Sequence, residues 1–227
     1  MINVIEELCE FTGLSRQVVE ARAIHRNPLW PDHRKEWTLF HPSTPAEVDW
    51  FYRASNTYLL TNARHVCPRV LLDKIPTGAR VLDFGGGSGN MSFALAERND
   101  CKVVYYDLNE LQKAFVRYVT RKHVLSIEVL EWADAPHKFP IGSMYPRRNF
   151  DAVVALDVFE HIPKYPEYIE QITSNMVPGS RMFVIAPFGN DEPSHLPDRF
   201  GFDDVCKQHG LQYEDTVTRV RIYRRAP

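Results

Sequence analysis

The chain has 227 residues, 44% hydrophobic and 25% charged, with a formal net charge of −2. That length suits one α/β domain with an appendage rather than two full domains, and the charge gives no footing for a nucleic-acid partner. No apolar run reaches the ~20 residues needed to cross a bilayer, the start Met1-Ile2-Asn3-Val4-Ile5 lacks a signal-peptide pattern, and Cys9, Cys67, Cys101 and Cys206 are scattered with no C-x-x-C.

A reduced, cytoplasmic protein without a membrane partner is therefore expected. Residues 1–25 read as two helices broken at Thr12-Gly13, with Ile5, Leu8, Cys9 and Phe11 on one apolar side. Ser15 is placed to cap the second, which carries Val18, Val19 and Ile24. Their apolar faces would support a homodimer. Residues 26–44, with Pro28, Pro31, Pro42, Trp30, Trp37 and Phe40, read as an irregular, packed connection. Thr44-Pro45-Ala46-Glu47 fits a capping box with proline at the first helical position. The helix it starts is expected to run through Trp50, Phe51, Tyr52, Tyr58, Leu59 and Leu60 towards His65. On one continuous helix Tyr52 and Tyr58, six apart, do not share a face, so at most one would reach a site. Most of these aromatics are expected in the core, with Tyr52 and Tyr58 the candidates to line a pocket.

From Val70 the pattern alternates between strand and helix, which predicts a parallel sheet with its ligand crevice beyond the carboxyl ends of the strands. Arg80–Phe84 is the first strand, followed by the glycine turn 85–89 and a helix from Asn90 to Arg98. Unsatisfied N–H groups at that helix start would favour an anionic group. Lys102–Tyr106 is the second strand, ending in Asp107, with a helix over Asn109–His123; Ser126–Glu131 is the third. Phe150–Leu156, nearly all apolar, reads as a strand covered on both faces. A helix from Pro166 to about Pro178-Gly179 and a strand over Arg181–Ala186 come next. A helix over Phe202–His209 and an antiparallel pair, Leu211–Asp215 with Val217–Tyr223, close the chain. Arg219, Arg221, Arg224 and Arg225 read as a solvated strand face.

The glycine turn is Asp83-x-Gly85-x-Gly87-x-Gly89. It departs from the dinucleotide pattern, whose third glycine would be Asn90, and it lacks the G-K-[ST] of a P-loop. It resembles the first motif of the class I S-adenosylmethionine-dependent methyltransferases, small-molecule branch, and the resemblance continues over residues 70–225. It implies a doubly wound α/β fold with a mostly parallel seven-stranded sheet, an antiparallel last strand, and an N-terminal helical cap. The cap would be residues 1–68 and the cofactor-binding domain 69–227. By the same resemblance Asp83, Gly85, Gly86 and Gly87 would cradle the cofactor, and Asp107 with Leu108 would bind its ribose hydroxyls, a carboxylate being able to accept two hydrogen bonds from a diol. Asp134-Ala135 would contact the adenine. Ala155-Leu156-Asp157-Val158-Phe159-Glu160-His161 is similar to the family's fourth motif, with Asp157 facing the cofactor's methionine end. Met176-Val177-Pro178-Gly179-Ser180 is like the turn the family places before its fifth strand.

The implied chemistry is methyl transfer to a small-molecule acceptor, at a hydroxyl oxygen, with His161 as base, Glu160 orienting it and His195 contacting substrate. The chain lacks the [DNS]-P-P-[YFW] tetrapeptide of enzymes that methylate nucleic-acid bases, having Leu156-Asp157-Val158-Phe159 there. N- or C-methylation and a non-catalytic cofactor-binding subunit are the alternatives. This reading uses no metal. A second reading of Asp157, Glu160, His161 and His195 is a divalent-ion site of the kind some methyltransferases of this branch carry, although those have Glu where Asp157 stands.

Overall fold

A computed structural model of the chain describes residues 2–23, 33–55, 57–64, 68–131, 149–189 and 194–227. Its strands are β1 (Arg80–Phe84), β2 (Lys102–Tyr106), β3 (Ile127–Val129), β4 (Phe150–Leu156), β5 (Met176–Ile185), β6 (Leu211–Val217) and β7 (Val220–Arg225). They form one sheet in the order β3-β2-β1-β4-β5-β7-β6. The pairs β1–β2, β1–β4, β2–β3 and β4–β5 are parallel, whereas β7 runs antiparallel to both neighbours. Successive side chains of a strand face opposite sides, so each side of the sheet needs its own helices. Leu82, Phe84, Val104, Val153 and Ala155 pack on one side against Ile169 and Ile172 of α9 (Tyr165–Ser174) and Val205 and Cys206 of α10 (Phe202–Gln208). Val81, Val103, Ala152 and Val154 pack on the other against α6 (Arg69–Lys74) and α7 (Asn90–Arg98). β1, β2 and β4 therefore finish side by side at one edge of the sheet, at Phe84, Tyr106 and Leu156.

The leading helices add a third core. Val4 and Leu8 of α1 (Val4–Thr12) and Val19 and Ala23 of α2 (Arg16–Ala23) meet Phe115, Val116 and Val119 of α8 (Glu110–His123), together with Leu59, Leu60, Phe93 and Tyr105. Ion pairs from Lys122 to Glu7 at 2.9 Å and Glu10 at 2.6 Å border it.

The segment read as an irregular connection contains a helix, α3 (His33–Phe40), and three further expectations are corrected. The helix begun by the Thr44 capping box does form, as α4 (Pro45–Ala54), but it stops at Ser55 and resumes only as a single turn, α5 (Tyr58–Thr61). The break is held from a distance: Glu36, on α3 (His33–Phe40), accepts from the Ser55 hydroxyl at 2.7 Å and the Thr57 hydroxyl at 2.8 Å. Second, the Met176–Ser180 turn is absorbed into β5, whose pairing with β4 jumps from Phe150–Met176 to Ala152–Arg181. Gly179, at φ +81°, lets the surplus residues bulge outward. Third, Trp50 is 57% exposed rather than in the core. The basic face of β7 is partly neutralised: Arg224, with Arg181, grips Glu214, and Arg221 pairs with Asp203.

Candidate active site

The site grows from the turn between β1 and α7. Gly85 has φ +69°, and a β-carbon on it would lie 2.4 Å from the Val158 side chain. A β-carbon on Gly86 would lie 2.6 Å from the Tyr105 ring and 2.8 Å from Asp83 Oδ2. The backbone is thus wedged between the lip after β4 and the floor made by β2, and only glycine fits. The turn's own donors are spent within the protein: Gly85 and Gly86 donate to the Tyr106 carbonyl at 2.8 and 3.1 Å, and Gly87 to Asp107 Oδ2 at 2.9 Å. The expected unsatisfied N–H groups at the start of α7 also have a resident anion. Buried Asp83 accepts the Ser92 hydroxyl at 2.6 Å, and burial lifts its carboxyl to about 6 against the pull of the Ser92 hydroxyl and N–H.

Asp107 leaves β2 at the same edge. Its carboxylate accepts from Gly87 N–H and, at 2.8 Å, from Asn109 N–H. Gln112, with its amide nitrogen turned inward, donates to Asp107 at 3.0 Å and to the Gly87 carbonyl at 3.1 Å. Burial pushes the Asp107 carboxyl up to about 6, with the Asn109 and Gly87 N–H groups and the Lys113 charge holding it back. Such a group keeps lone pairs for a diol. Leu108 beside it packs against the large core. Asp134 and Ala135 lie outside the described residues.

The chain from 45 to 64 roofs this edge. Asn109 caps α8 through its side-chain oxygen and reaches up with its amide to the carbonyls of Tyr52, at 2.9 Å, and Ser55, at 2.8 Å. Ser88 and Asn90 of the glycine turn both donate to the Asn62 carbonyl. The break at Ser55 has a consequence that a continuous helix forbids: the rings of Tyr52 and Tyr58 meet edge to face at 5.4 Å. Both phenols are pushed well above their ordinary range, first by burial, and Tyr58 also feels the charges of Asp107, Glu160 and Asp157. The carboxylates that follow β2 and β4 thus lie near enough to the Tyr58 phenol for their charges to raise it.

The lip after β4 turns at Asp157, which has φ +53° and donates its N–H to Ile185 at 2.8 Å. A 3-10 turn, Phe159–His161, follows. His161 Nδ1 lies 2.8 Å from the Tyr52 hydroxyl and 3.0 Å from the Ser194 carbonyl. His195 Nδ1 lies 3.0 Å from the Pro187 carbonyl, and the two imidazoles meet at 4.8 Å between centroids. The Nε2 atoms of both stand 3.9 Å from one oxygen of Glu160. Glu160 is fully buried, and burial raises its carboxyl to about 9, only partly offset by the nearby N–H groups of its own residue and Val158. One donor atom from each of Glu160, His161 and His195 lies within 4.8 Å of the others; Asp157 is not in the group.

Residues 56–218 match the family of methyltransferase domains. The chain belongs to the class I S-adenosylmethionine-dependent methyltransferases. It is 32% identical over 117 residues to the 27-O-demethylrifamycin SV methyltransferase of Amycolatopsis mediterranei, covering 48% of this chain and 40% of that one. It is 33% identical over 116 residues to the phosphoethanolamine N-methyltransferase of Triticum aestivum, covering 50% and 21%. The chain thus spans less than half the length of either relative. A methyltransferase from Aquifex aeolicus shares the fold at 17% identity, with a TM-score of 0.56 over 81% of this chain and 98% of that one.

The residues of this methyltransferase's crevice fit the cofactor of its class. A carboxylate with spare acceptor capacity stands beside a glycine turn that admits no side chain, under a roof of phenols. Four contributors had no motif to announce them. Tyr105 donates to the Gly87 carbonyl at 2.6 Å, and Gln112, Asn109 and Asn62 fix the turn and the roof. Period-two alternation marks Tyr105 as a strand residue, and Asn109 carries an N-cap signal, but nothing local announces the distant carbonyls they meet.

Proposed function

We propose that this methyltransferase moves a methyl group to a hydroxyl oxygen of a small molecule lodged beneath Tyr52 and Tyr58. Bound S-adenosylmethionine supplies a methyl on a sulfonium, already an electrophile. Asp107 accepts the ribose diol, with Leu108 and Asp157 beside the nucleoside and methionine ends, and the turn at Gly85, Gly86 and Gly87 lies against it. Holding the acceptor oxygen in line with the methyl contributes up to about 7–11 kcal/mol in well-aligned cases. A hydroxyl must also lose its proton, and a positioned base is worth about 10²–10⁴ in rate.

The observation that carries this reading is the hydrogen-bond direction at His161. A backbone carbonyl only accepts, so the contact with Ser194 puts an imidazole proton on Nδ1, while Nε2 stands 3.9 Å from Glu160. Glu160 and His195 flank that nitrogen, and Tyr52 steadies the ring from the roof. The rifamycin relative, an O-methyltransferase by name, supports oxygen; the phosphoethanolamine relative keeps nitrogen as the alternative.

The test is to incubate the purified protein with cofactor carrying a ¹³C-methyl group and a hydroxyl-rich metabolite extract, then read the methyl carbon by NMR. O-methyl signals, with S-adenosylhomocysteine formed in equal amount and turnover lost in His161→Ala, are expected. Signals confined to N- or C-methyl carbons refute the oxygen assignment, and full turnover by His161→Ala refutes the base.

A further inference from the structure

We infer that Lys113 is the counter-charge of the Asp107 carboxylate and through it governs affinity for the cofactor, an inference that rests on the proposed reading of Asp107 as the ribose-binding group. Lys113 is fully buried, and its ammonium pairs at 2.5 Å with Glu110 on the same helix, whose side chain is 66% exposed. A lysine is almost never fully buried unless it is paired. A pair with a carboxylate that stands in water contributes little, so Glu110 does not account for drawing the amine out of solvent. The reason lies on the inner side of α8.

Residues three and four apart share a helix face, so Lys113 lies on the side of α8 that carries Asn109, Gln112 and Val116, all buried. Each of those three addresses the corner where β2 ends and the glycine turn begins. Asn109 N–H donates to Asp107 at 2.8 Å, and the inward-turned Gln112 amide donates to it at 3.0 Å. A β-carbon on Gly89 would lie 2.9 Å from the Val116 side chain. To this wall Lys113 adds a full positive charge, which favours the ionised Asp107 against the effect of burial. The groups that face the corner from the other elements do not help it: Asp83 on the adjacent strand β1, Tyr105 on β2 and Tyr58 in the roof are a carboxyl and two phenols. Arg117, one turn further along α8, acts on Tyr105 and is bound to Glu131. The ribose diol takes the ionised carboxylate, so a cation that favours that form raises affinity wherever Asp107 is partly protonated. Lys113 thus works through Asp107, as a positioning residue.

The test is the pH dependence of S-adenosylhomocysteine binding, by calorimetry on the full-length protein, in the wild type, Lys113→Met and Glu110→Gln. A nearby opposite charge lowers a carboxyl's midpoint by about one to three pH units. Lys113→Met, a side chain of similar length, should therefore lift the Asp107 midpoint from about 6 to about 7 or higher. With the midpoint one unit higher, affinity falls about fivefold at pH 6 and about ninefold at pH 5, and matches the wild type at about pH 8.5. A purely structural loss would lower affinity by the same factor at every pH. Glu110→Gln, on an exposed side chain, removes the competing anion and should move the midpoint downward, which keeps the test open if Lys113→Met does not fold. An equal loss at all pH values, or a midpoint unmoved in both variants, overturns the inference. Carbon-13 NMR of the aspartate carboxyls in the ligand-free protein reads the midpoint without the nucleoside and so separates the two readings. A midpoint that rises in Lys113→Met while wild-type affinity ignores pH sinks Asp107 as the ribose partner and leaves the counter-charge standing. Affinity that follows pH with the same midpoint in the wild type and Lys113→Met sinks the counter-charge alone.

Discussion

Replacing Asp107 with alanine should cut affinity for S-adenosylhomocysteine by roughly 10²–10⁴. The figure follows from the bonds the carboxylate would make. A hydrogen bond to a charged group is worth about 1.5–3 kcal/mol, and the ribose diol offers two, so about 3–6 kcal/mol is at stake. The two N–H groups it now satisfies, of Gly87 and Asn109, would lose their partner, and that cost falls on the fold rather than on the ligand. Calorimetry at neutral pH, with the melting temperature measured alongside, separates the two effects. The wild type offers a second handle, because its Asp107 carboxyl titrates near 6 in the cofactor-free protein. The diol favours the ionised form, so affinity should rise with pH up to about 6 and then level off, falling about tenfold per unit below it. The sign for the cofactor-free fold is opposite. With Asp83 and Asp107 both raised to about 6, the folded state holds protons that the unfolded chain has released above about pH 4. Stability contributed by these groups is full below about pH 4 and is lost as pH climbs through 6. An Asp107→Ala dissociation constant within threefold of the wild type, or an affinity flat from pH 5 to 7, would refute this role.

Gly86→Ala should destabilise the protein by about 1–3 kcal/mol, since the new methyl meets the Tyr105 ring and Asp83 at overpacking distances; urea denaturation measures it. Asn109→Ala removes the cap of α8 and two bonds to the roof. About 1–3 kcal/mol of lost stability is expected, with faster proteolysis between Ala54 and Tyr58; cleavage at the wild-type rate would contradict the tether. Tyr52→Phe deletes the contact to His161 Nδ1 and should shift the pH–rate profile while leaving S-adenosylhomocysteine affinity intact. Thr44→Ala should cost about 1 kcal/mol through the capping box at α4, read from the melting temperature.

The doubly wound core was legible because its signals are local. Lys102–Tyr106 and Phe150–Leu156 are apolar apart from Lys102 and Asp151, and they form strands with those bounds. Thr44, Glu47 and Pro45 likewise announce a helix start from four adjacent residues. The roof was not legible, because what ends α4 at Ser55 is a carboxylate on another helix, Glu36, and an amide on a third, Asn109. Periodicity reads through Ser55 and so keeps Tyr52 and Tyr58 apart, whereas tertiary bonds bring their rings together. At the lip, residue types suggested acid–base or metal chemistry, but choosing between them needs the proton's position on each imidazole. That depends on the Pro187 and Ser194 carbonyls, which carry no side-chain signature.

The segment that defines family membership begins at residue 56, yet the Tyr105 that floors the glycine turn belongs to the same buried core as Val4, Leu8, Val19 and Ala23. Trimming the protein to its recognisable part would open that seam and wet the back of the turn. The first two helices thus serve as a splint for the edge that carries the glycine turn, and any redesign of this protein should graft them together with the motif they brace.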